Sequence, residues 1–223
     1  MVFVLYGDKE VDFYYFYNKK SLSMILLISG ATKTIEKYKD HPNIGAFLTP
    51  RSGNSKKSRH GLVWGVDNSA FVNFDEKKFI NMLEKIKGED CKFVACPDKV
   101  GDGKETLRMF YEWRPIIKKY NLPIAIVLQD GMTLKNVPFD LIDSIFIGGT
   151  TKYKLGQEVR DICRIANQLN LWVHMGRVNS NKRLQYAIDI GCDSADGSGY
   201  SMFPDKKIPY ALKFLEQARK GFL

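Results

Sequence analysis

Short continuous runs of apolar and β-branched residues recur along the chain, each followed by a polar loop and then by apolar positions at helical spacing. The runs are Met24–Ile28, Ile44–Leu48, Leu62–Val66, Lys92–Ala95, Ile124–Leu128, Ser144–Ile147, Leu171–Met175 and Cys192–Ala195. Apolarity that is continuous rather than alternating marks strands covered on both faces, the pattern of a parallel sheet. Between them, Asp75–Ile86 sets Phe79, Met82, Leu83 and Ile86 at helical spacing, and Gln157–Leu169 does the same with Val159, Ile162, Ile165, Ala166 and Leu169. Ser180–Ile190 turns Leu184, Ala187 and Ile188 inward, with Ser180 as N-cap and Gly191 in the C′ position. Lys104–Tyr120 is helical in pattern, but Pro115 predicts a kink or a division there. Pro209 predicts the start of a last helix carrying Leu212 and Leu215.

Eight such units are the arithmetic of a (β/α)8 TIM barrel; the alternative is a doubly wound open sheet. No linker or low-complexity tract divides the chain, so residues 1–223 read as a single barrel domain. Residues 1–20 form an extra N-terminal element, a cap on the barrel floor or a hairpin, that the repeat does not use.

Composition narrows the class. With 13% aromatic and 26% charged residues, the chain is neither disordered nor fibrous. Its apolar runs fall far short of the ~20 residues that span a bilayer. Met1–Phe13 lacks a basic segment followed by a cleavable apolar run, so a cytoplasmic setting is expected (the host cytoplasm for a phage protein), with no membrane partner. Cys91, Cys96, Cys163 and Cys192 form no CxxC pair and have no His nearby in sequence, which favours reduced thiols, at least three in the core, over a zinc site or disulfides. A net charge of +9 suits a polyanionic partner.

In a parallel barrel the chemistry gathers where strands end. Those ends read GVDNSAF (Asp67, Asn68), ACPDKVGD (Asp98, Asp102), IVLQDG (Gln129, Asp130), IFIGGTT (Gly148, Gly149), VHMGRVNS (His174, Gly176, Arg177) and DSADGSG (Asp193, Asp196). Any one Asp here has an ordinary explanation, since Asp after a strand caps a helix or bonds turn amides. Several together favour function, because crowded carboxylates repel. Gly148-Gly149 is either a tight turn or a place where a flat ligand reaches backbone N–H groups. Gln129 suggests amide recognition of a heterocycle. His174, inside an apolar strand, reads as a satisfied core histidine. Arg177 and Lys182-Arg183, near a helix start, suit phosphate or a solvated basic face. The loop Thr49–Gly61 carries Arg51, Lys56, Lys57 and Arg59 among Ser and Gly, which suits a nucleic-acid backbone or simple solubility.

Taken in order, these strand ends resemble the tRNA-guanine transglycosylase superfamily, and more closely its DpdA-like, often phage-borne DNA branch. Asp67-Asn68-Ser69-Ala70-Phe71 is similar to the family's Asp-Ser-Gly-Gly-Phe, and Asp98 matches its base-reading aspartate. Val127-Leu128-Gln129-Asp130-Gly131 resembles Val-Gln-Gly-Gly. Ile147-Gly148-Gly149 matches Ile-Gly-Gly, Met175-Gly176 matches Met-Gly, and Asp193-Ser194-Ala195-Asp196 resembles Asp-Met-Phe-Asp. GAFLTPRSGN and VHMGRVNS also look like small phage proteins of this branch. The likeness covers about residues 44–200. The family's Cys-x-Cys-x-x-Cys zinc motif with a later His is absent, Gly197-Ser198-Gly199-Tyr200 following Asp196, and 223 residues leave no room for the tRNA-holding regions. Both departures weigh against tRNA more than against the chemistry.

The resemblance implies replacement of guanine in DNA by a free 7-deazaguanine base such as 7-cyano-7-deazaguanine, without cofactor or metal. Asp196 would be the nucleophile and Asp67 the general acid and base. Asp98, Gln129, Gly148, Gly149, Asn68 and Met175 would hold the base, and Arg51, Lys56, Lys57, Arg59, Arg177 and Lys182 the flanking phosphates. The reading allows a homodimer. Two other classes remain open: a barrel enzyme acting on a small nucleotide or sugar phosphate, and a catalytically silent DNA-binding barrel subunit.

Overall fold

The computed structural model describes residues 24–30, 32–51, 61–86 and 90–220. Eight parallel strands close into a barrel in chain order: β1 (Ile25–Ser29), β2 (Ile44–Leu48), β3 (Trp64–Val66), β4 (Cys91–Ala95), β5 (Ile124–Leu128), β6 (Ser144–Ile147), β7 (Trp172–Met175) and β8 (Ser194–Asp196). The closing pair sets Leu26 against Ala195 and Leu27 against Asp196. That pairing excludes the open doubly wound sheet. The helices are α1 (Thr32–Lys37), α2 (Glu76–Lys85), α3 (Gly103–Lys118), α4 (Thr151–Lys154), α5 (Gln157–Gln168), α6 (Asn181–Asp189), α7 (Ser198–Met202) and α8 (Pro204–Arg219). The expected N-terminal element and Lys56, Lys57 and Arg59 lie outside the described residues. Among the described residues no helix is long and apolar enough to cross a membrane.

Two expectations need correction, and of the kink or division expected at Pro115 the division does not occur: α3 runs through it. Pro115 removes a bond to the Tyr111 carbonyl, and both residues lie on the exposed face, where water can take that bond's place. The last helix opens at Pro204 rather than Pro209, with Pro204 at a first-turn position that needs no N–H partner. The last strand is Ser194–Asp196, not Cys192–Ala195, which puts Asp196 on the strand itself. The caps of α6 are as expected: Ser180 accepts from the Arg183 N–H, and Gly191 adopts φ +78.

Side chains alternate between two apolar layers. One lies between barrel and helices and takes in Leu26, Val66, Val94, Ile126, Ile147 and Met175. The other fills the lumen with Leu27, Phe47, Phe93, Ala95, Ala125, Val127 and Phe146. Three aromatic rings in so narrow a space require small neighbours. A Cβ on Gly65 would sit 2.4–2.9 Å from the Phe93 ring, so β3 must carry glycine there. Cys96, Cys163 and Cys192 are buried and Cys91 is half-buried, and none of the four is disulfide-bonded.

Gly65→Ala is expected to destabilise the barrel by about 1–3 kcal/mol through overpacking of the lumen. Denaturant unfolding checks this; a midpoint equal to wild type would show that the Phe93 ring has room to move.

Candidate active site

The barrel brings Asp67, Asp98 and Asp196 to one rim from β3, β4 and β8. Asp67 follows Val66 directly, and its Oδ2 accepts the Ser69 N–H at 3.2 Å. Burial is the chief cause that pushes its carboxyl up to about 7, and the charges on Asp196 and then Asp98 add to it. The N–H groups of Ser69 and Asn68 pull the other way.

Asp98 is buried and braced on both oxygens. Asn68 Nδ2 donates to Oδ1 at 2.7 Å, and Gln129 Nε2 donates to Oδ2 at 2.6 Å. Asn68 also donates to the Cys96 carbonyl and accepts from the Ala70 N–H, while Gln129 Oε1 accepts from the Gly101 N–H. Both amides thus orient Asp98. Burial raises the Asp98 carboxyl; the two amides and the Arg177 charge offset part of that rise.

Asp196 is 17% exposed, and its Oδ1 lies 3.0 Å from His174 Nε2. His174 is fully buried in the lumen and bonds Ser194 Oγ through Nδ1 at 2.9 Å. It is therefore the satisfied core histidine that its strand suggests, with the rim carboxylate as one of its partners. Burial holds its imidazole below the usual range, that is, neutral.

Arg177 adopts the left-handed backbone region (φ 61), which costs a side-chain-bearing residue roughly 1–2 kcal/mol. Its Nη2 donates to the Gly149 carbonyl, and its guanidinium carbon lies 4.8 Å from the centre of the Phe71 ring. In a ring of eight, β3 and β7 stand opposite each other, so this contact bridges the mouth. Ser69, at the foot of the Phe71 loop, is also left-handed (φ 65).

Other residues named from sequence separate out. Met175 is buried between barrel and helices, so its side chain faces away from the lumen and does not serve a ligand in the mouth. Gly148 and Gly149 have packing reasons of their own: a Cβ on either would sit 2.8 Å from Gln129 Nε2 or Asp130 Oδ2, respectively. Asp102 caps α3, Asp130 accepts from the Thr150 N–H and hydroxyl, and Asp193 accepts from the Val173 N–H before β8 begins. Arg51 and Lys182 are exposed near the ends of β2 and β7. A cavity of about 380 Å³ beside Arg114, Lys118, Asp140 and Asp143 lies at the opposite end of the barrel and holds none of these residues. Among the described residues no group of three or more His, Cys, Asp or Glu is arranged to hold a metal ion.

Lys154 carries no signal in the sequence. It is buried at the end of α4, where Nζ donates to the Gly176 carbonyl. Burial and then the Arg177 charge lower its ammonium to about 7, with Asp196 acting in the opposite direction.

No family model and no curated protein matches this chain. Among solved structures, a chain of the tryptophan synthase α2β2 complex from the hyperthermophile Pyrococcus furiosus is similar, with a TM-score of 0.50 over 90% of this chain and 97% of that one. At 11% identity the likeness speaks for the fold alone. Fold and topology make the chain a (β/α)8 barrel, an architecture typical of enzymes.

Because folding raises the Asp67 pKa, the ionised group opposes folding. The penalty is absent below about pH 4, grows from there to about 7, and is complete above 7. Asp67→Asn is therefore expected to stabilise the protein at pH 8 by roughly 1–4 kcal/mol and to have little effect at pH 4. Unfolding curves at the two pH values check this; equal shifts would contradict it.

Proposed function

We propose that this barrel exchanges guanine in DNA for a 7-deazaguanine base, with Asp196 as nucleophile and Asp67 as general acid and base. The observation that carries this reading is a pair of carboxylates at one mouth in unlike settings. Asp67 titrates near 7, partly because of Asp196's charge, while Asp196 is in hydrogen-bond contact with a neutral imidazole. Exchange with retained configuration needs that division of labour, one group ionised and the other carrying a transferable proton.

In the first half-reaction an Asp196 oxygen attacks C1′, the C1′–N9 bond breaks, and Asp67 gives its proton to the departing guanine. In the second, the incoming base loses its N–H proton to Asp67 and its nitrogen attacks C1′. The Asp196 ester then breaks, which returns both carboxyls to their starting forms. Two inversions give retention.

Asp98 reads the base. A carboxylate has about four lone-pair sites, so two remain for the guanine N1–H and amine after Asn68 and Gln129 are served. The second amide hydrogen of Gln129 is left for a base carbonyl. Phe71, 65% exposed, offers a stacking face at the rim. The target nucleotide must leave the stack or come from single-stranded DNA to present C1′. Arg51 and Lys182 supply charge for flanking phosphates, and Lys56, Lys57 and Arg59, a few residues after Arg51 in sequence, add to it.

A second reading, a barrel acting on a small phosphorylated substrate, draws on the guanidinium groups of Arg177 and Arg183 at the β7–α6 turn. It requires turnover of nucleotides or sugar phosphates in the absence of DNA.

Protein, DNA and 7-cyano-7-deazaguanine together are expected to release guanine. Asp196→Ala should release none, and Asp67→Asn should be slower by about 10²–10⁴. Since the first half-reaction uses protonated Asp67, single-turnover release should fall about tenfold per pH unit above about 7. Continued exchange by Asp196→Ala would overturn the assignment. DNA binding without any base release would favour the silent subunit.

A further inference from the structure

We propose that His174 is a positioning residue: it donates its Nε2–H to Asp196 Oδ1 and so fixes which carboxylate oxygen is left to react at the mouth. This rests on the reading of Asp196 as the nucleophile.

The direction of the bond follows from a chain of contacts. The Trp172 indole N–H can only donate, and it reaches Ser194 Oγ at 2.9 Å. Ser194 Oγ accepts there with one of its two lone pairs and its own hydrogen can point to His174 Nδ1, 2.9 Å away, while the Asp196 carboxylate oxygen, which only accepts, selects this arrangement over the reverse. His174 Nδ1 then accepts and Nε2 carries the proton toward Asp196, 3.0 Å distant. The reverse tautomer would set the Nε2 lone pair against a carboxylate oxygen at that distance. A doubly protonated ring is disfavoured inside a cage of Phe47, Phe93 and Phe146, whose centres lie 5.4, 4.7 and 4.6 Å from the imidazole centre.

The same cage fixes the ring's orientation. Gly176 completes it: a Cβ there would meet the Phe146 ring at 2.8 Å and come within 3.4 Å of Asp196 Oδ1. With its lone pair taken by Ser194, His174 does not accept a proton from substrate. Its role is exerted through Asp196. Asp67, Lys154 and Tyr200 also feel the charge of Asp196.

Two variants separate positioning from packing. His174→Gln keeps both polar functions, with an amide N–H toward Asp196 and a carbonyl for Ser194. His174→Met fills the space without a donor. Single-turnover guanine release should fall roughly 10–100-fold in His174→Met, the loss typical of removing an orienting partner, with DNA affinity unchanged. His174→Gln should stay within a few-fold of wild type.

Thermal melting checks that the variants fold. Ser194→Ala, a smaller change, should leave the ring in place and still Nε2-protonated, because Asp196 Oδ1 continues to accept from it. In the wild-type protein at pH 8, ¹⁵N NMR should show a neutral, Nε2-protonated His174. That spectrum reads the bond without any activity. If wild type releases no guanine, the nucleophile reading fails, while the bond is still judged by the tautomer. An Nδ1-protonated ring, a folded His174→Met as fast as wild type, or a folded His174→Gln as slow as His174→Met would overturn the proposal.

Discussion

Closing eight parallel strands into a ring brings the residues after β3 and β4 and the end of β8 to one rim, where the charges of Asp196 and Asp98 add to the burial that makes Asp67 costly to ionise. The three carboxyls are supported differently. Asp98 is braced by two amide N–H donors, Asp196 lies against a buried imidazole, and Asp67, with only turn amides, is the group whose pKa rises to about 7. Unequal support of like carboxyls at one mouth is the arrangement that two-carboxylate acid–base chemistry calls for.

The lumen beneath the rim matters as much as the rim. Phe47, Phe93 and Phe146 exclude water from below and grip the one polar ring among them, His174. Gly65 and Gly176 make room for this cluster at positions where any side chain would collide with it. Above the mouth, Arg177 reaches from β7 to the Gly149 carbonyl and the Phe71 ring, placing positive charge within range of Asp98. Core packing, bridge and carboxylates therefore form one mechanical unit, in which a displaced phenylalanine would be felt at Asp196.

The barrel was legible because its eight strands are continuous apolar runs, and the rim because parallel strands deliver their last residues to one end. That logic yields six strand-end aspartates, among them Asp67, Asp98 and Asp196, and the family resemblance singles out these three. What sequence did not disclose depends on which way a strand side chain points and on register. Met175 matches a family motif, yet its neighbour His174 takes the lumen side and Met175 the helix side. The pairing of His174 with Ser194 in neighbouring strands is what aims the imidazole at Asp196, and no local pattern announces it. Asn68 and Gln129 look like ligand-reading amides until their bonds to Asp98 are seen. Lys154 is one lysine among many in a basic chain, and only the fold buries it beneath Gly176.

The central claim is that Asp67 is held near neutrality by its burial together with the charge of Asp196. Carboxyl ¹³C titration of the aspartates, in wild type and in Asp196→Asn, measures this directly. Asp67 should titrate near pH 7 in the wild type and at a lower value once the charge at 196 is removed. A wild-type Asp67 that titrates near 4, or one that does not respond to Asp196→Asn, would contradict the account.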